Sequence, residues 1–92
     1  MSSSSREVEI VNVRGLHARA SAKFVNLASE LPASIEVEKD GNRVCGTSIM
    51  GLMMLGAAQG DRVVIHVDGD NSEETLKALV ELVETGFGEE YS

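Results

Sequence analysis

The sequence predicts an α+β fold: an open-faced β-sandwich in which a four-stranded antiparallel sheet carries three helices on one face, in the order β-α-β-β-α-β-α. Three observations predict it. Short segments alternate apolar and polar residues, the mark of half-buried strands, and two of these flank Asp40-Gly41, a dipeptide suited to a tight hairpin. Other segments repeat their apolar residues at helical spacing. Ninety-two residues leave room for one core, so strands and helices must share it.

Taken in order, residues 1–5 are a Ser-rich stretch with nothing to bury, expected to form a flexible tail ahead of a single domain over 6–92. Val8 and Ile10 alternate with Glu7, Glu9 and Val11, predicting a strand to about Val13, which Arg14-Gly15 breaks. Ala20, Phe24, Leu27 and Ala28 fall on one face of a helix over Ala18–Ser29, and Pro32 follows its end. Ile35 and Val37 alternate with Glu36 and Glu38 in a strand over Ser34–Lys39, paired through the hairpin with Asn42–Gly46. Ser48 is placed to cap a short helix closed by Gly56. Val63, Ile65 and Val67 share one face of a strand over Arg62–Val67, and Asp68-Gly69-Asp70 makes the next turn. Asn71 or Ser72 then caps the last helix. Glu73 and Glu74 favour its positive end, Leu76, Leu79, Val80 and Val83 form its apolar stripe, and Gly86 stops it.

Composition removes most familiar chemistries. Hydrophobic residues make up 42% and charged residues 25%, the values of an ordinary globular domain rather than of a disordered, collagenous or coiled-coil chain. No apolar run approaches the roughly 18 residues that span a bilayer, and MSSSSR at the start carries no secretory signal, so no membrane insertion is expected. Cys45 alone cannot close an internal disulfide, which fits a reducing cytoplasm, and it is expected as a buried, inert thiol. Two His and one Cys supply too few soft ligands for zinc, so neither metal nor cofactor is expected. A formal charge of −7, with Phe24, Phe87 and Tyr91 as the aromatics, argues against a nucleic-acid partner.

The charge is unevenly spread. From Ile10 to Ser29 the chain carries Arg14, Arg19 and Lys23 and no acid, where an even spread would put about three. His17 lies inside this basic island, at the junction of a strand and a helix. The first N–H groups of a helix lack backbone partners and carry about half a positive charge, which disfavours a protonated imidazole there. A neutral ring nitrogen is then available as a nucleophile, and a phosphoryl group on it would meet unpaired N–H donors. Arg19 is in reach to add a charge-assisted hydrogen bond, and Gly15 lets the backbone bend sharply. The same spacing also fits a histidine that merely caps the helix, and Arg19 a solvated charge. No acid or second histidine stands near His17 in the sequence, and His66 reads as a half-exposed strand residue.

The segment Ser48–Leu55 is apolar beyond the needs of a surface helix. Leu52 and Leu55 suit the core, while Ile49, Met50 and Met53 are either further core or an adaptable docking patch left outside. Ser48 is a cap, or a phosphorylation site whose added charge would fall beside that patch.

The stretch GLHARASAKFV (Gly15 to Val25) with TSIMGLMMLGAAQGD (Thr47 to Asp61) closely resembles HPr, the histidine-containing phosphocarrier family of the bacterial phosphotransferase system. The likeness runs from about Glu7 to Gly88 and includes the element order. It implies that His17 is phosphorylated on Nδ1 by enzyme I, which draws on phosphoenolpyruvate, and that Arg19 steadies the phosphate. It implies that Ser48 is the target of a dedicated serine kinase/phosphatase in some bacteria. Ile49, Met50 and Met53 match contacts for enzyme I and the IIA-type acceptors, and Lys23 of the basic island joins this partner-binding set. The protein is then a monomeric phosphoryl carrier in the cytoplasm rather than an enzyme with turnover of its own. One departure stands out: the family usually reads His-Ala-Arg-Pro, whereas Ala20 follows Arg19 here. Alanine forgoes proline's preset φ but is the best helix former, so the helix should survive. The change leaves open a sugar-transport or a nitrogen- or carbon-regulatory branch.

Two other classes compete. A small-molecule-binding regulatory domain would show a saturable ligand and no covalent phosphate, since small α+β sandwiches host many roles. A hydrolase using His17 as general base would need an orienting acid and a nucleophile, neither of which the sequence places beside it.

Overall fold

The computed structural model describes residues 2–89. Four strands, β1 (Ser2–Glu9), β2 (Ser34–Lys39), β3 (Asn42–Cys45) and β4 (Arg62–Gly69), form one antiparallel sheet in the order β1-β4-β2-β3. Its helices are α1 (Ala18–Ser29), α2 (Ile49–Met54) and α3 (Ser72–Glu84), with a 3₁₀ turn at Gly86–Gly88. This is the predicted α+β open-faced sandwich. Register explains why one face is apolar: Val8 stands opposite Val63, Ile35 opposite Val67, and Val37 between Ile65 and Val44. These side chains meet Ala20, Phe24 and Ala28 of α1, Leu52 of α2, and Leu76, Leu79, Val80 and Val83 of α3 in a single core. The hairpin forms as expected, with positive φ at both Asp40 and Gly41.

The N-terminal serines depart from the expected tail. Ser2–Ser5 continue β1 and pair with Gly69 back to His66. Backbone ladders need no apolar side chains, and β4 is long enough to offer partners along its whole length. The hydroxyls of Ser2 and Ser4 also bond that of Ser72 at 2.8 and 3.0 Å, Ser72 being buried at the start of α3. Of the expected domain 6–92, residues 90–92 lie outside the described ones.

At its other end β1 stops at Glu9 rather than near Val13, and Ile10 leaves the ladder to bond Asp61 and Gly60. Neither Asn71 nor Ser72 caps α3 through its side chain: Asn71 takes a left-handed backbone (φ 57°), and the Ser72 hydroxyl is committed to the serines of β1. Cys45 is exposed, not buried, because its register opposite Glu36 turns it to the sheet's outer face. There the Thr47 hydroxyl, 3.0 Å away, holds its thiol below the usual value. His66 is half-buried on the same outer face and bonds Glu38 at 2.8 Å.

Candidate functional site

His17 is the N-cap of α1. Its backbone is extended (φ −73°, ψ 179°) and its carbonyl accepts from the Ser21 N–H, the first turn of the helix. Two contacts place it there. Leu16 donates its N–H to the Ala57 carbonyl at 3.0 Å, pinning the loop against the segment that follows α2. Gly15 adopts φ +64° where any Cβ would run into the Ala57 carbonyl oxygen, so glycine is demanded by both conformation and space. Ala20 is fully buried, and α1 forms over the predicted residues despite lacking proline in its first turn.

The imidazole is held at both nitrogens. Nδ1 accepts the Arg19 backbone N–H at 3.2 Å. Nε2 lies 2.6 Å from Oε2 of Glu89, with both side chains largely covered, 16% and 19% exposed. The other oxygen of Glu89 accepts from Asn12 Nδ2 at 3.0 Å, and the same amide donates to the Gly15 carbonyl at 2.8 Å. Burial opposes ionisation of Glu89, but the hydrogen bonds from His17 and Asn12, with the charge of Lys23 nearby, outweigh it and hold this carboxyl below its usual range. An acceptor-only carboxylate facing Nε2 and an N–H facing Nδ1 assign the neutral ring its proton on Nε2 and its lone pair on Nδ1.

Glu89 is the residue the sequence reading missed. It lies 72 positions from His17, and a window around the histidine finds no acid. Phe87 brings it there: this ring is 1% exposed in the core, and the Lys23 ammonium donates to the Phe87 carbonyl at 2.8 Å. Lys23, expected on a partner-facing surface, is thus engaged within the fold through its tip.

The other expected residues fall as follows. Arg19 is exposed, and among the described residues its guanidinium makes no ion pair or hydrogen bond. Ser48 caps α2, its hydroxyl accepting the Gly51 N–H at 3.0 Å. Only Leu52 of α2 is buried, and Leu55 is half-buried. Ile49, Met50 and Met53 are 40%, 68% and 40% exposed, with Met54, which was not singled out, at 80%. Of the two readings of this segment, the structure therefore shows an exposed patch, on a helix packed against α1. A concavity of about 630 Å³ is an open groove on the outer face of the sheet, lined by residues such as Glu36, Cys45 and His66. His17 does not line it. Among the described residues no group of His, Cys, Asp and Glu is arranged to hold a metal, and no helix is long and apolar enough to cross a membrane.

The described residues form a small open-faced sandwich with His17 at the start of a helix, and the groove on the outer face of the sheet lies away from it. Comparison with known proteins gives the chain a family. The PTS-HPr family model, described as "PTS HPr component phosphorylation site", matches residues 4–85. The phosphocarrier protein HPr of Neisseria meningitidis serogroup A is 46% identical over 84 residues, 91% of this chain and 94% of that one. That of Pseudomonas aeruginosa is 44% identical over 84 residues, covering 90% and 93%. The crystal structure of HPr-C-His from Thermoanaerobacter tengcongensis superposes with a TM-score of 0.89 at 49% identity, covering 95% and 98%. The chain belongs to the HPr family of phosphocarriers of the phosphotransferase system.

Proposed function

We propose that His17 accepts a phosphoryl group on Nδ1 from enzyme I, ultimately from phosphoenolpyruvate, and passes it to IIA-type acceptor proteins in sugar transport or in nitrogen or carbon regulation. The observation that carries this reading is the orientation of the ring: Nδ1 holds the lone pair at the open end of α1, while Nε2 is turned to Glu89. In the acceptance step the Nδ1 lone pair attacks phosphorus, and the bond to the donor breaks with its electrons leaving on the donor. The Arg19 N–H that bonds Nδ1 is then free to turn to a phosphoryl oxygen beside the other unpaired N–H groups of the first turn. The Arg19 side chain, unengaged within the described fold, adds a charge-assisted hydrogen bond worth about 1.5–3 kcal/mol.

A carrier must release what it accepts. One arginine and a helix start, without a metal clamp, suit a site that stabilises phosphohistidine modestly. Donor and acceptor are supplied by partners, and His17 accordingly lies outside the groove on the sheet's outer face. Ile49, Met50 and Met53 form the adaptable apolar contact for those partners, with Lys23 and the basic island steering acidic surfaces toward it. Ser48, at the edge of this patch, is the regulatory position: phosphorylation by a serine kinase/phosphatase would add about two negative charges where partners dock. On this reading the protein is a cytoplasmic monomer without cofactor or substrate turnover of its own.

Incubation with enzyme I and phosphoenolpyruvate, followed by intact-mass measurement, tests the proposal. One acid-labile, base-stable phosphate that disappears in His17→Ala supports it. No adduct, or an adduct unchanged in His17→Ala, refutes it and favours the small-molecule-binding alternative.

A further inference from the structure

We infer that Glu89 is a positioning residue for phosphoryl transfer: its carboxylate keeps a proton on Nε2 of His17 while Nδ1 carries the phosphoryl group, so that the ring can depart as neutral imidazole. The inference rests on the phosphocarrier reading and extends it to release.

The geometry supplies the argument. Glu89 Oε2 is 2.6 Å from Nε2, and Oε1 is fixed by Asn12, a side chain 1% exposed whose amide also grips Gly15, the hinge of the histidine loop. Phe87 seats the segment in the core and Lys23 ties its carbonyl to α1. The carboxylate is therefore delivered by a built strap rather than by a loose end, which limits the entropy lost when it engages the ring.

Proton bookkeeping gives the consequence. Neutral imidazole with its proton on Nε2 becomes, after Nδ1 bonds phosphorus, an N-phosphoimidazolium with that proton still in place. When the Nδ1–P bond breaks with its electron pair remaining on Nδ1, the product is the starting tautomer. If the Nε2 proton is lost to water first, the same cleavage must expel imidazolate, a far more basic leaving group. A carboxylate at 2.6 Å opposes that loss by charge and by hydrogen bond. Arg14 and Arg19 stand beside His17 in the chain, and Lys23 of α1 lies near the carboxylate. All are cationic, and among the described residues Glu89 is the one anion paired with the ring, so it is the group that favours retention.

The test measures phosphate loss from phosphorylated wild type, Glu89→Gln and Glu89→Ala across a pH series. It is paired with NMR of the ring nitrogens in the unphosphorylated proteins, and amide spectra verify the fold. In the wild type the ring shows its proton on Nε2, and phosphate loss slows only at higher pH. In Glu89→Ala the midpoint of that slowing falls by about one pH unit, a roughly tenfold slower loss on the alkaline side, and the tautomers mix. Glu89→Gln, which keeps an acceptor without the charge, retains the tautomer and still lowers the midpoint. Unmoved midpoints in both variants, or a wild-type ring protonated on Nδ1, overturn the inference while leaving phosphate acceptance intact. Absence of phosphate on wild-type His17 overturns the phosphocarrier reading and this inference together.

Discussion

Gly15 rests directly against the carbonyl of Ala57, the same oxygen that accepts the N–H of Leu16 at 3.0 Å, so the histidine loop and the segment after α2 are locked by one backbone group. Two motifs that stand far apart in the sequence are thereby joined at the site.

Replacing this glycine tests the lock. Gly15→Ala adds a Cβ at φ +64° in space already taken, and is expected to cost about 2–3 kcal/mol in stability. Urea denaturation checks this, and an unchanged midpoint would show that the loop does not depend on the close approach. Because the displaced loop carries His17, phosphorylation is expected to slow as well.

The C-terminal strap makes a second prediction. Lys23→Met keeps the apolar stem but removes the ammonium that bonds the Phe87 carbonyl, at an expected cost of about 1 kcal/mol. Hydrogen exchange should accelerate at Gly88 and Glu89, whose N–H groups bond Thr85 and Gly86. Equal exchange rates in wild type and variant would place the anchoring with the Phe87 ring alone.

The carboxyl of Glu89 gives stability a pH dependence. Its folded-state value lies below the usual range near 4.3, so the unfolded chain binds the proton more tightly. The stabilisation is fully present above that unfolded value and is lost as pH falls through the depressed folded one. The difference in unfolding free energy between wild type and Glu89→Gln should therefore shrink below about pH 4 and level off under strong acid. A difference constant across this range would contradict the ionised hydrogen bond to His17.

Ser48→Asp separates capping from regulation. Aspartate caps a helix about as well as serine, so α2 and overall stability should persist. The added charge beside Ile49, Met50 and Met53 should nevertheless slow phosphoryl transfer to His17 by about tenfold or more, measured as the initial rate with enzyme I. An unaltered rate would place the partner contact away from this patch.

Much of this was legible in the chain because it rests on local physics. The alternation around Ile35, Val37, Val63, Ile65 and Val67, the Asp40-Gly41 turn and the stripes of Phe24 and Leu79 each specify an element whose buried face agrees with the others. His17 and Ser48 were readable as helix caps for the same reason, since a cap is defined by residues one turn away. What escaped depended on partners distant in sequence. The serines of β1 looked like a tail because their value lies in backbone pairing with β4 and in the Ser72 hydroxyl. Cys45 looked buried because only the register with Glu36 reveals which face it occupies. Glu89 reaches the imidazole, and is itself met by Asn12, only once Phe87, in a left-handed conformation that no apolar pattern announces, turns the chain into the core.

The most direct test of the phosphocarrier account locates the phosphate on the ring. After phosphorylation by enzyme I and phosphoenolpyruvate, coupling between phosphorus and the imidazole nitrogens, read by NMR, should place the Nδ1–P bond on His17 and leave the proton on Nε2. Phosphorus bonded to Nε2, or carried by any other residue, would contradict it.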